Sequence, residues 1–399
     1  MRGSWGKDVV VLGGCGHVGL PLGLALADAG LEVALYDTNA DAVGLVMSGT
    51  MPHREAGAQE VLERTLAKGK LTATVDRDVI GTAECLIVVI GTPVDRHLNP
   101  DPQAVLNAVE AVQEQLRDGQ LIVLRSTIFP GVTRMVERLI ERLGKEIDVT
   151  FCPERIAEGK AMEELHSLPQ IVSSRTAGGS ERAAELFGSI AESIIHVQPE
   201  EAELAKLFTN SYRYIKFAAA NQLFMMANDF GVDYERIRAA VVQDYPRAAD
   251  LPGPGFAAGP CLLKDTMQLA AFNNNNFALG MASMQINEGL PLYLVSRMAA
   301  RYPLDTMTVG ILGMAFKGES DDARDSLSYK LKQVLKVRAA DVLTTDPFVS
   351  DDPSLVSLEE VLARADVVVI GAPHDAYAKS DIRQPVVDIW NLRGGGVLV

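Results

Sequence analysis

The chain has 399 residues, 37 of them Lys or Arg and 52 Asp or Glu, for a formal net charge of −15. Its length exceeds one ordinary core, and 48% hydrophobic with 22% charged residues describes a folded chain, so two or three globular domains are expected. The acidic balance argues against nucleic acid or an anionic membrane as main partner, although local cations and helix N-termini can still hold a phosphate.

The opening stretch "MRGSWGKDVVVLGGCGHVGLPLGLALADAG" has two cations and then an apolar run, superficially like a secretory signal. Glycines at fixed offsets and His17 interrupt that run, so it reads as strand, turn and helix, and no transmembrane span is expected elsewhere. The runs "VVVLG" (9–13), "EVALYD" (32–37), "CLIVVIGTP" (85–93) and "QLIVLRST" (120–127) predict buried parallel strands, with helical stretches such as "PDPQAVLNAVEAVQEQLRDG" between them. From Glu200 to Gly231 no breaker occurs, which predicts a helix of about 30 residues, roughly 45 Å long. A second helical stretch, "FALGMASMQINEGLPLYLVSRMAARY", has Pro291 as a kink, and asparagines 273–276 mark a helix end. Met225, Met226, Met281, Met284 and Met298 suit either packed core and subunit contact or a soft binding surface. Near Asp305 the strand pattern returns in "TMTVGILGMAF", "VLTTDPF", "ADVVVIGAPH" and "PVVDIW", a second, smaller α/β domain.

Gly14-Cys15-Gly16-His17-Val18-Gly19 matches G-x-G-x-x-G, follows a strand and opens a helix, and a second strand ends at Asp37. Gly14 permits the tight turn, Gly16 lets backbone approach a pyrophosphate, and Gly19 packs helix on strand. Asp37 accepts from adenosine ribose hydroxyls, which favours NAD over NADP. The four cysteines, Cys15, Cys85, Cys152 and Cys261, have no metal-ligand spacing, so no metal is expected and a reducing cytoplasm fits. Cys15 reads as a small filler of the turn.

Cys261 lies in "GFAAGPCLLKD", ahead of the helical stretch "LLKDTMQLAAF". A thiol at a helix N-terminus is activated by the dipole and free N–H groups, and Lys264 adds positive potential. Asp265, four residues on, is a candidate base, with an inert buried cysteine as the bland alternative. Lys206 and Asn210, also four apart, form either an oxyanion-stabilising pair or a solvated helix face. "RSTIFPGVT" (125–133) places Ser126 and Thr127 at a strand end, and "FCPERIAEGKA" (151–161) offers Glu154 and Glu158, acids four apart as on a helix.

Seven segments occur in one family's order: "GGCGHVGLPL", "VIGTPVD", "STIFPGVT", "CPERIAEGKA", "AKLFTNSYRYIKFAAAN", "GPGFAAGPCLLKD" and "ILGMAFKGESDDARDS". Together they resemble the UDP-glucose/GDP-mannose dehydrogenase family across nearly the whole chain. The resemblance implies an α/β fold of two Rossmann-like doubly wound domains, joined by a long central helix and a small helical domain at a dimer interface, with a site between the domains. The boundaries expected are 1–198 for NAD binding, 199–303 for the central segment and 304–399 for the nucleotide sugar.

The implied reaction is an NAD-dependent four-electron oxidation at the sugar C6, through a thiohemiacetal and a thioester on Cys261. Lys206 and Asn210 match the residues that stabilise oxygen charge, Asp265 the base or water-ordering acid, and Thr127 and Glu154 the water-ordering positions. His17, Val18, Thr92, Thr127, Glu158, Lys264 and Arg324, with the glycines and Asp37, match cofactor positions. Glu154, Arg155, Lys206, Asn210, Gly255, Phe316 and Lys317 match substrate positions, and Arg247 is a candidate for reaching substrate across a dimer. The thiol loop departs from the family pattern at Ala257, Ala258, Pro260 and Leu263, and Cys152 stands where asparagine is frequent.

UDP-glucose is the substrate expected first. The alternatives are a UDP-N-acetylhexosamine, whose dehydrogenases the segment "YPRAADLPGPG" (245–255) resembles, and dTDP-glucose. A single-hydride dehydrogenase that does not use Cys261, and a non-catalytic NAD or nucleotide-sugar binding protein, are the readings of other classes.

Overall fold

Successive residues of the first strand feed opposite cores. Val9 and Val11 of β1 (Lys7–Leu12) belong to one apolar cluster, Val10 and Leu12 to another, as the two-residue period of a strand buried on both faces requires. Val9, Val10 and Val11 are wholly inaccessible, each burial worth about 1.5–3 kcal/mol. The computed structural model describes residues 5–399 apart from 93, 96 and 398, so Pro93, at the end of one expected strand stretch, lies outside the described residues. The chain divides into two units, Met1–Phe208 and Thr209–Val399.

The first unit holds β1, β2 (Val33–Tyr36), β3 (Leu71–Thr74), β4 (Ala83–Val88), β5 (Leu121–Leu124), β6 (Asp148–Phe151), β7 (Gln170–Ser174) and β8 (Ile194–Val197). Their order in the sheet is β3-β2-β1-β4-β5-β6-β7-β8, and β6 with β7 is the antiparallel pair. The order grows outward both ways from β1, so the carboxyl ends of β1 and β4 flank a crevice of the kind that holds a ligand in doubly wound sheets. Four of these strands escaped the sequence patterns. β3 and β8 are mostly half-exposed or exposed, and β6 and β7 are short and mix polar with apolar residues, so none carries a sustained apolar run.

The long helix runs Pro199–Asp229, 31 residues, and crosses the division between the units. Proline at its first position loses no helical hydrogen bond, and Gly231 follows its end at φ 79°. The second unit's sheet is parallel throughout, with β9 (Thr308–Leu312), β10 (Asp341–Thr345), β11 (Val367–Ile370) and β12 (Val386–Val387) in the order β10-β9-β11-β12. Phe224, Leu290, Leu294 and Met298 pack with Val309, Ile311, Val367 and Val369 of that sheet. The helix Ala278–Arg301 runs through Pro291 without interruption. The helix Leu262–Phe272 stops at the asparagine run, where Asn274 and Asn275 take φ of 53° and 57°. The methionines divide: Met298 is core, Met225 and Met284 pack against buried clusters, and Met226 and Met281 are exposed.

Candidate active site

The glycine turn after β1 separates its glycines by task. Gly13, at φ 78°, makes the tight turn, and a Cβ there would lie 1.8 Å from the Val89 carbonyl oxygen. The conformational role expected of Gly14 therefore belongs to Gly13. Gly14 is needed for packing, since its Cβ would stand 2.7 Å from that of Leu35, and Gly19 for closeness to the Gly13 carbonyl, 2.3 Å away. Gly16 is different: it is exposed, and a Cβ would meet only the Gly13 oxygen, at 3.7 Å. Nothing within the chain demands a glycine there, which fits a surface left bare for a ligand.

The helix that follows, Gly19–Asp28, begins at Val18 with no side-chain cap and no acid in its first turn, so its N-terminal N–H groups suit a diphosphate. His17, in the turn, stacks on His53 with ring centroids 4.2 Å apart. Asp37 accepts the Cys15 N–H at 3.0 Å and the Asn39 N–H at 3.0 Å, which fixes its carboxylate beside the turn with lone pairs left for ribose hydroxyls. Burial, and then the Asp37 charge, push the Cys15 thiol up to about 12, as befits a filler.

The ends of β4 and β5 are tied together: the Ser126 hydroxyl accepts the Ile90 N–H at 2.7 Å, and the Thr92 hydroxyl donates to the Thr127 carbonyl at 2.7 Å. Glu154 and Glu158 lie in a loop after β6, not on the helix their spacing suggested. Glu154 is buried, paired with the guanidinium of Arg125, and accepts the backbone N–H groups of Arg155 (2.6 Å) and Ile156 (2.9 Å). Arg125, 1% exposed, also donates to the Cys152 carbonyl and to Gln170, and its guanidinium stacks 4.8 Å from the Phe187 ring centroid. Sequence reasoning missed it, because a lone arginine in a strand end carries no periodic signal. The Arg155 side chain donates to the Pro169 carbonyl. Glu158 is half-buried, and beside it Glu55 accepts the Gly159 and Ala161 N–H groups, each at 2.8 Å.

Lys206 and Asn210 are not a solvated face: they are 8% and 4% exposed. In the second unit Cys261 stands at the N-cap of the helix Leu262–Phe272, exposed, while the other three thiols are buried. Burial pushes Cys85 up to about 12 and Cys152 up to about 11, and of the four thiols Cys261 alone is exposed. Asp265 donates its backbone N–H to the Cys261 carbonyl at 2.9 Å, the first bond of that helix. Its side chain does not share the thiol's exposure: the carboxylate is wholly buried, accepts from the Asn210 amide at 2.6 Å and lies 3.4 Å from Lys264 Nζ.

Gly255 and Gly259 hold the thiol loop against aromatic rings. A Cβ on Gly255 would lie 2.3 Å from Trp390, and one on Gly259, at φ 93°, 2.5 Å from Phe316. Phe316 thus supports the thiol loop, and Lys317 Nζ stands 5.7 Å from its ring centroid. Arg324 forks onto Asp322, with contacts of 2.6 and 2.9 Å, and Arg247 is exposed, over the ring of Tyr245.

The second unit repeats the glycine turn of the first. Gly313, at φ 98°, donates to the Thr345 carbonyl at 2.9 Å, just as Gly13 donates to Tyr36. Asp346 after β10 takes the Met314 and Ala315 N–H groups, as Asp37 takes that of Cys15. Here the acid is more fully engaged. It also accepts from Phe348 and Val349 N–H and from Nε2 of wholly buried His374, whose Nδ1 takes the Glu319 N–H.

The first unit thus carries a glycine turn of the dinucleotide-binding kind, and the second unit a like turn and an exposed thiol at a helix start. Three models of the UDP-glucose/GDP-mannose dehydrogenase family match in series: the NAD binding domain over residues 7–191, the central domain over 200–289 and the UDP binding domain over 310–393. The chain belongs to this family of NAD-dependent oxidoreductases. It is 30% identical over 382 residues to the UDP-N-acetyl-D-mannosamine dehydrogenase of Pyrococcus horikoshii, covering 91% of this chain and 89% of that one. It is 29% identical over 395 residues to the UDP-glucose 6-dehydrogenase AglM of Haloferax volcanii, covering 92% of each. The solved UDP-glucose dehydrogenase of Pyrobaculum islandicum superposes with a TM-score of 0.89 at 28% identity, over 97% of this chain and 95% of that one. Among the described residues no helix is long and apolar enough to cross a membrane.

Proposed function

We propose that the enzyme oxidises the C6 alcohol of a UDP-sugar to the carboxylate, with Cys261 as covalent carrier and two NAD reduced per product. The observation that carries this reading is the pairing of Asn210 with buried Asp265 in the first turn of the helix that Cys261 begins. NAD, when bound, supplies the hydride acceptor for both oxidations. Gly14, Gly16, His17, Val18 and Gly19 hold its diphosphate and Asp37 its ribose, with Thr92, Thr127, Glu158, Lys264 and Arg324 as further contacts.

The first oxidation leaves an aldehyde. The sulfur of Cys261 adds to its carbon, a C–S bond forms, and the carbonyl pair moves to oxygen, which takes a proton. Lys206 and Asn210 donate to that oxygen while it carries charge. Loss of a hydride and of that proton leaves a thioester. Water, ordered by Thr127 and Glu154, then adds to the carbon. The C–S bond breaks, sulfur departs with the pair, and the acid is released. Asp265 fixes the amide of Asn210, and Arg125 fixes the carboxylate of Glu154.

For the sugar, an N-acetylated hexosamine stands ahead of glucose in this proposal, reversing the order expected from the sequence. The Pyrococcus relative is named for UDP-N-acetyl-D-mannosamine, and segment 245–255 points the same way. UDP-glucose is the second reading, supported by the names of the Haloferax and Pyrobaculum proteins. Phe316, Lys317, Arg155, Gly255 and Arg247 are the proposed substrate contacts. A homodimer through the long helix is supported by Phe208, Tyr212, Leu223 and Met226, all exposed and within about 60° of arc on that helix, with exposed Phe230 just past its end. A reducing cytoplasm suits an exposed nucleophilic thiol.

The deciding experiment turns over UDP-N-acetylmannosamine, UDP-N-acetylglucosamine, UDP-glucose and dTDP-glucose while counting NADH per carboxylate. Two per product with an acetamido sugar is the expected result, and Cys261→Ser should stop at the aldehyde. One NADH per product, or full turnover by Cys261→Ser, removes the thiol from the reaction.

A further inference from the structure

The long helix hydrogen-bonds to the thiol segment through Asn210 and Asn221. Asn210 meets Asp265, and about three turns further along the same face Asn221 meets Gly255. Asn221 is wholly buried, and its carboxamide clamps one residue from both sides of the peptide: Oδ1 accepts the Gly255 N–H at 2.9 Å, and Nδ2 donates to the Gly255 carbonyl at 3.0 Å. The same Nδ2 donates to Asn287 Oδ1 at 2.9 Å, and Asn287, also wholly buried, donates to the Tyr214 carbonyl of the long helix at 3.1 Å. The Trp390 ring closes the other side of Gly255, leaving no room for a Cβ.

Beyond this clamp the segment remains held. Ala257 and Leu262 pack with Tyr214, and the Gly259 N–H donates to the Asp325 carbonyl at 3.3 Å. Cys261 is therefore carried on a short segment whose path is fixed from the helix that bears Asn210. Of the common side chains of this size, a carboxamide alone can both accept and donate in this way; a carboxylate has no donor.

We propose that Asn221 is a positioning residue for Cys261, which with Asn287 registers the thiol segment against the long helix. The proposal rests on the reading of Cys261 as nucleophile. Asn221→Asp keeps the shape and the acceptor but removes the two donated bonds; Asn221→Ala removes all three. Asn228→Ala is the control for burial alone, since Asn228 is buried on the same helix but bonds Tyr293 and Val399, not the thiol segment.

The full-length variants are assayed for kcat, for both KM values, and for the rate at which iodoacetamide alkylates Cys261 in the folded protein, read by peptide mass. Misplacing a reacting group by about 1 Å costs about 10²-fold, so a fall in kcat of about 10- to 10²-fold is expected in both Asn221 variants, with KM for NAD unchanged. The alkylation rate should change in both and stay at the wild-type value in Asn228→Ala. If the Asn221 variants match Asn228→Ala in kcat and alkylation, the positioning role is overturned. Should Asn221→Ala not fold, Asn221→Asp and Asn287→Asp decide by the same readouts. Full turnover by Cys261→Ser would sink the nucleophile instead, while alkylation still reports the clamp.

Discussion

The Asn210 amide donates to the Asp265 carboxylate at 2.6 Å, from a helix that starts more than fifty residues earlier in the chain. In the proposed reaction Asp265 therefore acts through Asn210. A hydrogen bond to a carboxylate is worth about 1.5–3 kcal/mol, so Asp265→Asn should lower kcat by about 10- to 10²-fold while leaving KM for NAD within about twofold. Steady-state kinetics check this, and a variant with unaltered kcat would separate Asp265 from catalysis.

Gly13 and Gly16 should answer differently to the same methyl group. Gly13→Ala combines positive φ with a 1.8 Å clash against backbone and should lower the melting temperature or prevent soluble expression. Gly16→Ala should melt as wild type yet raise KM for NAD about tenfold or more, the equivalent of about 1.4 kcal/mol of lost binding. Calorimetry and NAD titration, run on both, make the comparison. An unchanged KM in Gly16→Ala would place the diphosphate elsewhere.

Cofactor choice should rest on Asp37. Its carboxylate is held by the Cys15 and Asn39 N–H groups, so a 2′-phosphate there would meet a fixed negative charge. NAD should be preferred over NADP, and Asp37→Asn should narrow that preference mainly through NAD affinity. Equal kcat/KM for the two cofactors in the wild type would contradict the placement.

Asp346 gives the second unit an acid-sensitive bond network. Burial alone would raise its pKa. The hydrogen bonds from His374 and from the N–H groups of Phe348 and Ala315 outweigh burial and hold the carboxyl at about 2, below its usual 3.8. A depressed folded-state pKa stabilises the protein above the unfolded value, and that stability is lost as pH falls through about 4 toward 2. The contribution is about 2 kcal/mol. Urea unfolding at about pH 6 and about pH 3 should show about half of this loss, and Asp346→Asn, less stable at neutral pH, should show a smaller one. An equal acid slope in the variant would assign the effect to other groups.

Much of this molecule was legible in one dimension because its signals are local. A glycine spacing between a strand and a helix, an apolar run buried on both faces, and a stretch without breakers each depend on residues within a turn or two. They gave the parallel strands β1, β2, β4 and β5, the second unit's parallel sheet, the 31-residue helix and the start of the thiol helix at Cys261. Tertiary structure decided which glycine bends the turn, since the φ of 78° at Gly13 and the Val89 carbonyl beside it separate Gly13 from Gly14. It also supplied Arg125 behind Glu154, His374 on Asp346, and Asn221 with Trp390 around Gly255. Those partners stand tens to more than a hundred residues apart, and a buried polar group finds its bond wherever the fold brings one, so no spacing in the chain announces it.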